Sequence, residues 1–398
     1  MKAIIVVAII ALLLITSINQ IASAQQMATQ TVFAYGQIGT PVQNGKLYVE
    51  GNTIRDEFGN PIRMQGFNTE EQDLTAESIQ WLKANGFNSI RMMIWWHRYE
   101  PTQNAYSTTY LNMLDNVINL CQANGIYVNL CFHQWQWSPY FSYADGSGVG
   151  FPSWLISAGG YENSAAGATQ CATDFYMNQG YGVTMRQKYW SFWQMLINRY
   201  KNNSCVWAYE IMNEPTVIKS ASFTTATLNG IMSFYESITT QMRAIDSNTI
   251  IIYHYINFNP NPSNYNAGVE RAVPYPNIVW TRSWYDVAYG GYTQSELGQL
   301  QTRLTNIKNK FNGACGTPFI ISEMGLLQSD FPLGTEASAS AWIRDSFNTM
   351  RNIDLNNGYE AYSWYVYDLG PSHGFWTSRN ADGTNTFITP VLKEYNPQ

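Results

Sequence analysis

Trp207-Ala-Tyr-Glu-Ile-Met-Asn-Glu214-Pro215 alternates its residues as a strand does and is stopped by Pro215, which cannot continue a ladder. Glu214 therefore stands as a carboxylate at the C-terminal end of a strand. A second segment, Pro318-Phe-Ile-Ile-Ser-Glu323-Met-Gly325, places its first charged residue, Glu323, where a buried apolar run ends. Further β-branched and aromatic runs flank these two. Strands are expected over Arg63–Phe67, Ser89–Ile94, Tyr127–Phe132, Val206–Met212, Ile250–Tyr255, Ile278–Ser283, Phe319–Ser322 and Ala361–Val366. Amphipathic patterns near 73–85, 108–124, 183–201, 225–246, 293–311 and 337–351 separate most of them. Asn85-Gly86, Asn124-Gly125 and Asn312-Gly313 sit where three of those helices should stop. Strands that alternate with helices imply an α/β fold, a (β/α)8 TIM barrel. A doubly wound open sheet would want a Gly-rich turn after the first strand, and Gly66-Phe67-Asn68 is not one.

In a barrel the strand C-termini share one mouth, and the segments leaving them build the site. The segment after the third strand, about 134 to 182, is unusually long, reads as aperiodic and carries Trp135, Trp137, Phe151, Trp154, Phe175 and Tyr176 among its aromatics. It is either a self-packed lid or a wall of sugar-stacking rings. Cys171 falls in this segment, whereas Cys205 and Cys315 precede strands at the closed end. About 20 Å of strand separates the two levels, so Cys171 is expected to pair with neither.

Composition narrows the chemistry. The 398 residues are 45% hydrophobic, which excludes a disordered chain. A net charge of −6 with no basic run excludes nucleic acid as the expected partner. Charged residues make up 13% of the chain, about half the usual share, while aromatics make up 15%. Surplus rings beside many Asn, Gln, Ser and Thr suit neutral, flat-faced polar ligands such as sugars. Neither the five cysteines nor the four histidines show metal-ligand spacing, so no metal or other cofactor is expected. Lys2, an apolar run to about Ile18 and Ala22-Ser23-Ala24 read as a secretory signal over 1–24, an uncleaved anchor being the alternative. Residues 25–45 read as a flexible lead-in and 46–398 as one catalytic domain. The mature chain is expected to be extracellular, away from membranes, and monomeric.

Two carboxylates at the mouth ends of the fourth and seventh strands meet the requirement for glycosidic cleavage. One protonates the departing oxygen; the other attacks the anomeric carbon or activates water. At these residues the sequence resembles glycoside hydrolase family 5, the cellulase A family of retaining β-glycanases. Asn213-Glu214-Pro215 and Ser322-Glu323-Met-Gly325 carry the resemblance. Asp56…Asn68, Asn88-Ser-Ile-Arg91, Trp96…Pro101, Val128…His133 and Ala361-Tyr-Ser-Trp364 extend it in order along the chain.

The resemblance implies Glu214 as general acid/base and Glu323 as nucleophile. Arg91, set inside an apolar strand where an unpaired charge would be costly, is the expected neighbour of Glu323. Asn213 is placed to meet the sugar 2-hydroxyl, His133 to orient a hydroxyl or support Arg91, and Trp364 to offer a stacking face. Tyr285 matches the tyrosine that donates to the nucleophile. The family's His-x-Tyr motif reads Ser283-Trp-Tyr285 here, so any contact from histidine to the acid/base should be absent or replaced. Glu210 is expected inside the barrel, paired with Arg63 or Arg91. The activity implied is a retaining endo-β-1,4-glucanase on cellulose or β-glucan. A β-mannanase on the same scaffold and a non-catalytic carbohydrate-binding protein are the alternatives.

Overall fold

The computed structural model describes residues 46–395, except 71–73, 145–147, 217, 219–222, 257–267, 286–293, 327–334, 354, 356–362, 367–377, 379 and 381–382, with backbone only at 144, 294–296 and 363–366. The expected signal and lead-in lie outside these residues. The described chain opens with an antiparallel hairpin, β1 (Tyr48–Glu50) and β2 (Thr53–Arg55). Eight parallel strands then close into a barrel: β3 (Gln65–Glu70), β4 (Ser89–Ile94), β5 (Tyr127–Phe132), β6 (Val206–Glu210), β7 (Ile250–His254), β8 (Ile278–Trp284), β9 (Phe319–Met324) and β10 (Ser363–Val366). Neighbours in sequence are neighbours in the sheet, and β10 returns to pair with β3. The helices are α1 (Ala76–Ala84), α2 (Trp96–Tyr99), α3 (Thr108–Asn124), α4 (Ser153–Ala158), α5 (Ala165–Met177), α6 (Gly182–Tyr200), α7 (Thr225–Arg243), α8 (Gln294–Lys308), α9 (Glu336–Asn352) and α10 (Ile388–Lys393).

The strand starts hold the base of the core. Tyr127, Trp207, Ala208, Ile250, Ile252, Val279 and Ile320 pack into one cluster, and Leu47 and Ile54 of the hairpin join it. The hairpin thus seals the N-terminal end of the barrel with apolar side chains, leaving the opposite end to form the mouth. Gly66 allows the first two barrel strands to meet, because a Cβ there would lie 1.6 Å from the Ser89 carbonyl oxygen.

Three expectations are corrected. The first barrel strand begins at Gln65 rather than Arg63 and runs on to Glu70. The Asn88 amide occupies the earlier backbone, accepting from Gln65 N–H at 2.8 Å and donating to Arg63 C=O at 2.7 Å. Gly125, with φ 71°, does end α3, and Asn85 caps α1. Asn312-Gly313, however, lies inside a wider helical turn (Asn309–Ala314), and the chain turns left-handed only at Gly316, φ 66°. The segment after β5 is not aperiodic either. It contains α4 and α5, and α5 is capped by the Ser164 hydroxyl and stopped by Asn178 at φ 53°. Alanine, glycine and threonine dominate α5, so its apolar stripe is faint in sequence.

Most rings of that segment pack on one another. Trp137 stacks on Phe151 at 4.4 Å between centroids, Phe151 meets Phe175 edge-on at 5.3 Å, and all three are fully buried. Trp135, 40% exposed, is the exception among its large apolar rings that open to solvent. All five cysteines are buried free thiols, with Cys171 on α5 against Met185 of α6.

Candidate active site

Arg91 is the hub of the mouth. It sits midway along β4, opposite Asn68 on β3 and Asn129 on β5, with no exposed surface. Its fork is fully engaged. Nε donates to Glu210 Oε2 at 2.8 Å and Nη2 to Glu210 Oε1 at 2.5 Å. Nη2 also reaches Asn213 Oδ1 at 2.8 Å, while Nη1 reaches Asn68 Oδ1 at 2.7 Å and Glu323 Oε2 at 3.1 Å. One guanidinium thereby fixes side chains from four other positions around the barrel, a use that depends on its rigid planar donors. Burial works against the Glu210 charge, yet the charge and fork of Arg91 outweigh it and hold that carboxyl below its usual range. Of the two partners foreseen for Glu210, Arg91 is the one that binds both its carboxylate oxygens.

Glu323, on β9, has a donor at each carboxylate oxygen: Arg91 at Oε2 and the Tyr285 hydroxyl at Oε1, 2.7 Å away. Burial raises its pKa, and these two donors and the Arg91 charge oppose that rise. Glu214 lies just beyond β6 and is buried to 6% exposure. Burial, then the negative charge of Glu323, push it up to about 7, against a hydrogen bond from Ser283 and the charges of Arg91 and Arg282. The two interacting carboxyls therefore differ in environment. Glu214 keeps its proton close to neutrality; Glu323 is also raised above the usual carboxylate range, but donors at both its oxygens favour its anion, an asymmetry that suits acid-assisted displacement.

The remaining expected residues fall around this pair. Asn213 spends Oδ1 on Arg91 and one Nδ2 hydrogen on the Gln134 carbonyl at 3.0 Å. His133, just past β5, is buried and kept neutral first by burial and then by the Arg91 charge. Its Nδ1 has no hydrogen-bond partner among the described residues. Trp364 is on β10, in register with Gln65 and Ile321, and its side chain lies outside the described residues. At the position of the family's histidine stands Ser283, which acts to lower the Glu214 pKa, and His254 of β7 lies with Nε2 3.4 Å from Ser283 Oγ.

Sequence reasoning assigned no site role to Asn68, Asn129, Gln134 or His254. His254 carried a usable signal, as the first polar residue after the apolar run Ile250–Tyr253. The two asparagines also had one, since polar side chains inside apolar strands need partners. Asn129 Nδ2 supplies Glu210 Oε2 at 2.8 Å, and Asn68 Nδ2 anchors on the Ser322 carbonyl at 3.0 Å. Among the described residues no group of three or more His, Cys, Asp or Glu could hold a metal ion.

The family model for cellulase (glycosyl hydrolase family 5) matches residues 55–372, most of the chain and all of this barrel. The chain belongs to glycosyl hydrolase family 5. That family is one of glycoside hydrolases. Among curated relatives, an endoglycoceramidase of Hydra vulgaris is 22% identical over 223 residues, covering 47% of this chain and 42% of that one. Endoglycoceramidase I of Rhodococcus hoagii is 27% identical over 128 residues, 30% of this chain and 25% of that one. The chain thus matches less than half the length of these relatives. Among solved structures, endo-glycoceramidase II from Rhodococcus sp. as a lactosyl-enzyme intermediate superposes with TM-score 0.68 at 18% identity, covering 85% and 80% of the two chains. The cellulose synthase subunit Z of Clostridioides difficile gives 0.58 at 16%, covering 83% and 99%. At these identities the superpositions establish a shared fold.

Proposed function

We propose that this chain is a secreted endo-β-1,4-glucanase that uses Glu323 as nucleophile and Glu214 as general acid/base. The observation that carries the roles is the asymmetry of the buried pair. Glu323 is clasped by Arg91 and Tyr285, while burial and the negative charge of Glu323 let Glu214 keep a proton up to about pH 7. Glu323 attacks the anomeric carbon as the bond to the leaving oxygen breaks, and Glu214 passes its proton to that oxygen. Water then adds to the glycosyl ester, giving its proton to Glu214 and restoring Glu323. Arg91 and Tyr285 keep the nucleophile oriented, and Asn213 is left one amide hydrogen with which to meet the sugar 2-hydroxyl. His133, neutral with an unpaired Nδ1, is suited to a second hydroxyl. Trp364 is assigned the stacking face at the cleaved bond.

The choice of glucan rests on the exposed flat ring of Trp135, two residues beyond His133, and on a composition rich in aromatics and poor in charge. A glycolipid with β-linked glucose next to its lipid is the second reading, favoured by the relatives' activity. Reducing-sugar release from carboxymethyl-cellulose, barley glucan and galactomannan, assayed beside ceramide release from detergent-dispersed lactosylceramide, decides between them. Activity on the two glucans alone is expected; ceramide release with no glucan cleavage overturns the substrate, and equal mannan cleavage broadens it. The presence of the processed chain in the culture medium of an expressing host tests secretion, and its retention in the membrane fraction refutes it.

A further inference from the structure

We propose that Gln134 is a positioning residue that aims the Glu214 carboxyl by clamping its backbone. The inference rests on the reading of Glu214 as the proton donor. Glu214 has φ 37°, in the left-handed region that a residue with a side chain rarely adopts unaided. Something must hold it there, because its carboxyl direction follows from that torsion. The Gln134 side chain is fully buried, and its Nε2 donates to both the Asn213 carbonyl (3.0 Å) and the Glu214 carbonyl (2.5 Å). The Asn213 side chain returns a bond to the Gln134 carbonyl at 3.0 Å. Two consecutive carbonyls of the acid/base segment are thus fixed by one amide.

That amide is itself held. Its Oε1 accepts from the Trp137 backbone N–H at 2.8 Å. Delivering that N–H requires two further left-handed residues in succession, Gln136 (φ 54°) and Trp137 (φ 70°). Trp137 is anchored by its stack on Phe151. Gly150 closes the clamp from behind: with φ 120°, a Cβ there would lie 2.8 Å from Gln134 Cβ and 3.0 Å from the Trp137 carbonyl oxygen. Gly150 is in turn tied to His97 by bonds in both directions, 3.0 Å and 3.2 Å. The buried rings after β5 are therefore coupled to the catalytic carboxyl through Gln134, which gives this segment a task beyond covering the barrel.

Leaving-group dependence separates this task from mere stability. A misaimed acid slows departure of a poor leaving group, while a good one departs without a proton. Aryl β-cellobiosides with 2,4-dinitrophenyl and phenyl leaving groups are compared in Gln134→Met, Glu214→Ala and the parent enzyme, with folding followed by circular dichroism and thermal melting. For Gln134→Met, kcat/KM on the phenyl substrate is expected to fall about 100-fold and on the dinitrophenyl substrate less than about tenfold. If that variant does not fold, Gln134→Glu keeps the acceptor for Trp137 N–H, removes the donor and serves the same comparison. Equal losses on both substrates, no loss on either, or failure of both variants to fold overturns the proposal. Glu214→Ala keeps the readings apart. If it lacks the leaving-group dependence, the acid/base assignment itself fails; if it shows the dependence and Gln134→Met does not, only the clamp is refuted.

Discussion

Glu214→Gln is expected to destroy turnover and, above neutral pH, to make the protein more stable. The unfolded carboxyl titrates at 4.5, while in the fold burial and the charge of Glu323 raise it to about 7. Below 4.5 both states hold the proton and the group is neutral towards folding. Between 4.5 and about 7 the native state binds more protons than the unfolded chain, so stability falls as pH rises. Above about 7 the fold carries an imperfectly compensated anion, at a cost of about 3 kcal/mol. The glutamine amide reproduces the shape of the protonated acid and cannot ionise. At pH 8 the variant should therefore unfold about 4 °C later than the parent, taking the usual entropy per residue for a chain of this size, and at pH 4 the two should coincide. Thermal or denaturant unfolding of both proteins across pH 4–8 measures this directly. Parallel stability curves, or a variant weaker than the parent at pH 8, would refute the account of Glu214 as a strained, proton-retaining acid.

Other outcomes follow from the same geometry. The pH–rate profile of kcat/KM should be bell-shaped, with an alkaline limb near 7 from Glu214 and an acid limb above the ordinary carboxylate value from Glu323; a plateau through pH 7–9 contradicts it. Tyr285→Phe removes a donor that favours ionised Glu323, so the acid limb should move to higher pH and kcat should drop at least tenfold in steady-state assays. Ser283→Ala removes a hydrogen bond that lowers the Glu214 pKa, so the alkaline limb should move upward, and a downward shift would contradict the contact. Arg91→Met leaves Glu210 buried without its cation and should cost about 3–5 kcal/mol in urea unfolding; a loss below about 1 kcal/mol would mean that water replaces the fork.

What the sequence revealed and what it concealed divide along physical lines. The barrel was legible because strands buried on both faces read as short apolar, β-branched runs, as at Ile250–Tyr253 and Phe319–Ile321, and Asn-Gly pairs marked two helix ends. Glu323 stood out for interrupting such a run, and Arg91 because a cation in an apolar strand demands a partner. Gln134 carried no comparable mark. A glutamine after a strand is ordinary, and its importance arises from the torsions of Glu214, Gln136 and Trp137, which no residue pattern encodes. Ser283 could be located as the substitute for a histidine, but its influence on Glu214 and its nearness to His254 depend on the register of β7, β8 and β9. Helix α5 was hidden because its alanines, glycine and threonines, though alanine favours helix, leave only a faint apolar stripe to mark the helical period.

The five thiols, all unbridged and enclosed, have a practical consequence. Cys121 and Cys131, with the rest, have their ionisation pushed upward by burial, so alkylating reagents find no thiolate while the barrel is closed. The architecture asks nothing of an oxidising compartment and can be matured in a reducing host. Sulfhydryl labelling then becomes an internal clock for opening: the cysteines, shared between strand Tyr127–Phe132, two helices and two strand approaches, report when those parts of the barrel first let solvent in.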